Sequence, residues 1–135
     1  MTDPKDLYIA DSNIPGSGKG LFTRVPIKKG SIIIEYTGRI MKWDEVKDDP
    51  TNLYIYYIND DYVIDAKNLP GAIARYVNDA GGLTQVKGLE NNSAFVNKNN
   101  RIFIEATKNI PAHSEILVEY GEGYWETVKR NQKNH

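Results

Sequence analysis

Short runs of β-branched and aromatic residues, each closed by glycine, proline or asparagine, limit what this chain can form. Leu7–Asp11, Leu21–Arg24, Ser31–Ile40 (SIIIEYTGRI), Leu53–Ile58 (LYIYYI), Tyr62–Asp65, Ala94–Val96, Arg101–Ala106 and Glu115–Tyr120 read as strands. Turns stand between them at Ile14–Gly20 (IPGSGKG), Pro26–Gly30, Asn59–Asp61, Pro70-Gly71, Asn97–Asn100 and Asn109–Ser114. Only Lys42–Lys47 and Ala72–Val77 suit helix, a turn or two each. Asn78–Asn92 is a long polar loop, which in a small domain is usually functional or disordered. Gly38 marks a bulge or a close backbone approach inside the strongest strand. The pattern predicts a mostly β domain, barrel-like or a folded ribbon, and 135 residues fit one domain.

The last predicted strand leads into a ring-rich stretch, EILVEYGEGYW. Ile116, Val118 and Tyr120 alternate as in a half-buried strand, and Gly121 and Gly123 turn Tyr124 and Trp125 back toward Tyr120. A phenol walled by rings suits a cationic or methylated ligand, and it equally suits an aromatic core closing a strand. The residues alone leave both open.

Composition excludes several classes. The net charge of −1 gives no basic field for nucleic acid, and the cluster Lys129, Arg130, Lys133 reads as a solvated tail. With no cysteine there is no disulfide, thiol nucleophile or cysteine-based zinc site, and His113 and His135 make no metal centre. No apolar leader opens the sequence and no run reaches membrane-spanning length, so a soluble intracellular protein is expected, nuclear or cytoplasmic. Gly18-Lys19-Gly20-Leu21 enters a strand and not a helix, which argues against a phosphate loop.

Four spaced blocks then coincide with one family. Gly18-Lys19-Gly20-Leu21-Phe22, Glu35-Tyr36-Thr37-Gly38, Ile64-Asp65-Ala66 with Ala74-Arg75-Tyr76-Val77-Asn78, and Glu115–Gly121 occur in family order. The chain resembles the SET-domain protein lysine methyltransferases, from about Ile14 to Trp125, with a short polar tail at 126–135. The resemblance implies a β-clip of small curved sheets with short helical turns and a C-terminal pseudoknot, which brings Arg75–Asn78 beside Glu115–Trp125.

It also implies methyl transfer from S-adenosylmethionine to a lysine ε-amine of a protein or peptide, such as a histone tail, without metal. On this resemblance Tyr120 is the catalytic tyrosine and Tyr36 works beside it at the amine. Gly18, Lys19, Gly20, Leu21, Arg75, Asn78, Asp79, Tyr120 and Trp125 would hold the cofactor. Tyr36, Phe95, Val118, Tyr124 and Trp125 would line the substrate channel. Asp79 departs from the family's Asn-His pair; its main chain would keep the adenine contact while its side chain adds an anion. Asn91-Asn92-Ser93 is similar to the family's Pro-Asn-Cys without its Pro and Cys. Phe95 and Val118 carry no hydroxyl to restrict the amine pocket, so di- or trimethyl-lysine is the expected product. The alternative is a catalytically inactive SET fold that binds peptide or cofactor. Asp48, Asp49, Asp60, Asp61, Glu119 and Glu122 either attract a basic tail or form an ordinary solvated surface.

Overall fold

A computed structural model describes residues 1–48, 55–67, 69, 71–81 and 85–120. The strands are β1 (Leu7–Asp11), β2 (Lys19–Thr23), β3 (Ile32–Tyr36), β4 (Arg39–Met41), β5 (Ile55–Asn59), β6 (Tyr62–Asp65), β7 (Ser93–Lys98), β8 (Arg101–Ala106) and β9 (Glu115–Ile116). Helix α1 (Trp43–Val46) precedes β5, and 3-10 turns lie at Pro4–Asp6 and Ile73–Tyr76. The strands form three small sheets, ordered β1-β2-β9, β3-β8-β7 and β4-β6-β5. Main-core residues such as Leu21, Ile33, Ile64, Ile104, Ile116 and Val118 come from all three.

Local sequence sets most element ends. Asn99 and Asn100, with φ of 54° and 64°, make a two-residue turn between Lys98 and Arg101, a conformation asparagine tolerates. The Glu45 carboxylate reaches back to the Lys42 N–H at 3.0 Å and starts α1. The predicted turns in the β5–β6 and β1–β2 connections are present. Positions 49–54, 68 and 70 of the predicted elements lie outside the described residues.

Two expectations need correction. The predicted single strand Ser31–Ile40 divides at Gly38: β3 pairs with β8, whereas β4 pairs with β6 in another sheet. A Cβ on Gly38 would lie 2.6 Å from the Asp65 carbonyl oxygen, so the chain changes sheets where two backbones touch. The predicted strand Glu115–Tyr120 is regular only over β9. Beyond it, Leu117 and Val118 make single parallel bridges to Asn78 and Ser93. Period-2 alternation persists, but both faces are covered. Ile116 and Val118 enter the main core, while Leu117 enters a satellite core with Ile14 and Ala80.

Two distant segments clasp this closing stretch. The Val118 N–H donates to the Asn78 carbonyl at 2.9 Å. Asn92 brackets it through its amide, donating to the Glu115 carbonyl at 3.0 Å and accepting from the Leu117 N–H at 2.9 Å. The Ser93 hydroxyl adds a bond to the Leu117 carbonyl at 2.8 Å. This is the arrangement expected of a C-terminal segment passing beside a loop, and it sets Asn78 next to Leu117 and Val118. No described helix is long and apolar enough to cross a membrane.

Candidate active site

Four rings meet where the sheets converge. Tyr36 ends β3, Tyr56 lies in β5, Phe95 in β7, and Tyr120 follows β9. Ring centroids are separated by 5.9 Å for Tyr36–Phe95, 4.9 Å for Tyr56–Phe95, 6.1 Å for Tyr36–Tyr56 and 6.5 Å for Phe95–Tyr120. Both contacts of Phe95 with Tyr36 and Tyr56 are edge-to-face, a favourable quadrupole geometry. Tyr36 is buried, and Val118 is buried in the same core. Burial pushes the Tyr56 phenol up from its ordinary pKa, further from ionisation at physiological pH.

Tyr56 was not among the residues expected here. Its signal lay in LYIYYI, whose alternation sets Tyr56 opposite Ile64, a core residue, and leaves Tyr57 52% exposed. Nothing in that run says that the inward ring meets Tyr36 and Phe95, because those lie on other sheets.

Tyr120 is held at two points. Its hydroxyl donates to the Val77 carbonyl. Its N–H donates to Asp79 Oδ2 at 2.9 Å. Asp79 is only 5% exposed. Its Oδ1 also accepts from the Gly81 N–H at 2.7 Å and from Asn91 Nδ2 at 2.9 Å. The anion expected near the cofactor is therefore engaged within the chain, tying Tyr120 to both ends of the long loop.

The glycine lip is organised around Glu115, another residue the sequence reading did not single out. Its buried carboxylate accepts from Ser12 Oγ and the Asn13 N–H, both at 2.8 Å, and from Asn78 Nδ2 at 3.4 Å. The only sequence signal was its place at the head of the last family block. A Cβ on Gly20 would collide with this carboxylate, lying 3.0 Å from Glu115 Cδ and 3.3 Å from Asn78 Nδ2. Gly20 thus makes room for a neighbour of its own chain, a reason for glycine beyond the approach of a ligand. Gly18 has φ +65° and open space around the Cβ position, so its glycine serves the turn.

Asn78 Nδ2 also donates to the Lys19 carbonyl at 3.0 Å, which joins the lip to the clasp. The Lys19 ammonium points elsewhere and pairs with Asp11 at 2.6 Å on the surface. Leu21 sends its side chain into the core and offers main chain only. Arg75 braces the 3-10 turn, with bonds to the Ala66 carbonyl at 3.4 Å and the Tyr76 hydroxyl at 2.7 Å. Tyr124 and Trp125 lie outside the described residues. Among the described residues no His, Cys, Asp or Glu group is placed to hold a metal.

Small sheets, closed by a clasped C-terminal segment that carries a tyrosine to a cluster of rings, define the β-clip class. The family model for the SET domain matches residues 18–121, and the chain belongs to that family. It is 29% identical over 123 residues to human histone-lysine N-methyltransferase 2D, covering 85% of this chain and 2% of that protein. With N-lysine methyltransferase KMT5A-A of Xenopus laevis it shares 26% over 120 residues, 81% of this chain and 35% of the relative. The chain thus spans about a third or less of these two relatives. The methyltransferase domain of human PR domain-containing protein 2 superposes with a TM-score of 0.64 at 29% identity, covering 88% of this chain and 79% of that one.

Proposed function

We propose that this protein is an S-adenosylmethionine-dependent protein-lysine N-methyltransferase. The observation that carries the reading is Tyr120. Its phenol is fixed on the Val77 carbonyl and its backbone on Asp79, beside Phe95 and next in sequence to a clasp that includes Asn78. Relatives named as lysine methyltransferases support it.

The residues present fit the cofactor. The Asn78 side-chain amide donates to the Lys19 carbonyl at 3.0 Å and its main-chain carbonyl accepts the Val118 N–H, which ties the glycine lip to the segment that leads to Tyr120. The aromatic faces around Tyr120 suit a sulfonium cation. Main-chain groups of Gly18, Lys19, Gly20 and Leu21, with Asn78, Asp79, Arg75 and Trp125, would hold S-adenosylmethionine. When bound, the cofactor supplies an electrophilic methyl group.

The chain's own part is to admit, align and neutralise the lysine. Tyr36, Phe95 and Val118 would line the channel for its stem, and Tyr120 would orient the amine toward the methyl group, which supplies proximity. A lysine amine has a reference pKa of about 10.4 and must be neutral to attack. Burial among these rings disfavours the ammonium form. Tyr56, a phenol whose pKa burial raises further, offers no phenolate to hold that ammonium in place. The substrate is a lysine of a histone or another basic protein.

Isotope-labelled S-adenosylmethionine, core histones and a whole-cell lysate test this reading. Labelled protein is expected from the wild type, and Tyr120→Phe should lower the rate by about a hundredfold or more while circular dichroism stays unchanged. Equal turnover by Tyr120→Phe would overturn the role of Tyr120. Cofactor binding with no label on any protein would favour a binding module instead.

A further inference from the structure

The β4-β6-β5 sheet carries a second set of rings that the pocket does not use. Register sets Ile40, Ile64 and Tyr56 in one row, and Met41, Val63 and Tyr57 in the next. Successive rows point to opposite faces. Tyr56 turns toward Tyr36 and Phe95, so Tyr57 points away from the pocket. On that side Tyr57 is 52% exposed and Trp43 38%; Tyr62, the neighbour of Val63 in β6, points to the other face. Trp43 meets Tyr57 edge to face at 5.5 Å. Asp60 ties the two segments together: its carbonyl accepts the main-chain N–H of Trp43 at 2.9 Å, and its carboxylate accepts the Tyr57 hydroxyl at 2.7 Å. Single exposed rings are ordinary, but rings clustered and held in place by a shared aspartate form a prepared surface.

Charge selects the occupant. The segments 42–48 and 57–62 that carry these rings hold Asp44, Glu45, Asp48, Asp60 and Asp61 against Lys42 and Lys47. Lys47 is already paired with Asp44 at 3.2 Å. The whole chain carries a net charge of only −1, so this negative character is local. Aromatic faces and carboxylates both attract a guanidinium, which stacks flat on a ring while its fork pairs with an oxygen pair.

We propose that the Trp43–Tyr57 face docks a basic, arginine-bearing segment of the protein substrate, outside the stretch that enters the lysine pocket. Its role as a substrate contact rests on the function proposed above; the binding itself does not. A lysine-free arginine–serine peptide carrying a fluorophore separates the two, because it cannot occupy the lysine channel.

Anisotropy should show saturable, salt-sensitive binding of this peptide and none of a glutamate–serine peptide. Trp43→Ala should weaken it by about fivefold and Trp43→Phe by much less. The pair Asp44→Asn and Asp61→Asn should weaken it and flatten its salt dependence. Methyl transfer to a short arginine-free lysine peptide should not change in Trp43→Ala, whereas KM for core histones rises. Should Trp43→Ala lose its circular dichroism signal, Trp43→Leu, which keeps apolar bulk without a π-face, takes its place with the same expected weakening. Equal binding by wild type and Trp43→Ala, or weakening by the aspartate pair alone, would overturn the proposal. No transfer by the wild type to either substrate, with peptide binding intact, would instead overturn the methyltransferase reading.

Discussion

Replacing Asp79 tests whether the departure from the family's Asn-His pair is a structural clamp on Tyr120. Asp79→Ala removes an acceptor from the N–H groups of Gly81 and Tyr120 and from Asn91 Nδ2. Gly81 is exposed and can turn to water, while Tyr120 and Asn91 are half-buried. A stranded donor costs about 1–3 kcal/mol, so two of them give about 2–6 kcal/mol of lost stability. Asp79→Asn keeps one oxygen but turns an amide N–H against one of the donors, for a loss of about 1–2 kcal/mol. Equilibrium urea unfolding reads both, provided the m-value is unchanged. In a folded Asp79→Asn protein, transfer should fall through kcat more than through KM for peptide, because a loosened Tyr120 backbone misplaces the phenol. An Asp79→Ala protein within about 0.5 kcal/mol of wild type, the range of ordinary surface changes, would refute the clamp.

Gly20→Ala should destabilise by about 1–3 kcal/mol, since its methyl group lands on the Glu115 carboxylate; an unchanged melting temperature would refute that packing. Glu35, hydrogen-bonded to Arg101 at 2.8 and 3.0 Å, is held below its usual pKa by that bond, against the opposing pull of its own partial burial. Its stabilising share is complete above the unfolded carboxylate pKa and is lost as pH falls through the lower folded value. The stability gap between wild type and Glu35→Gln should therefore close on acidification through that window; a gap independent of pH would exclude the linkage. Phe95→Tyr, placing a hydroxyl among Tyr36, Tyr56 and Tyr120, should shift products from di- or trimethyl toward monomethyl-lysine. Mass spectrometry of a peptide substrate reads this, and an unchanged distribution counts against Phe95 as a pocket wall.

Local chemistry was legible wherever turns decide structure. Asn99-Asn100 marks the β7–β8 hairpin, and Gly38 was read as a close backbone contact. What that glycine does with the contact was not legible: it moves the chain from one sheet to another, because β8 and β6 lie far along the sequence. The run after Glu115 alternates correctly, yet its exposure was misjudged, since the satellite core of Ile14, Ala80 and Leu117 comes from distant, unpatterned segments. Tyr36, Phe95 and Tyr120 came together only through the family resemblance. Tyr56 and Glu115 escaped because their partners lie on other elements, and no periodicity announces a ring or a carboxylate of that kind.

The clasp on residues 115–118 has a consequence for how the protein is made. Ser12 and Asn13 find their acceptor 103 and 102 residues downstream, and β2 its second neighbour in β9. Contacts of such long range are slow to form, because a large loop must close before they reward the chain. On the ribosome, the first sheet waits with an open edge until Glu115 has emerged. Synthesis therefore assembles the site last: a nascent chain that still lacks Glu115 has neither a closed lip nor its central phenol.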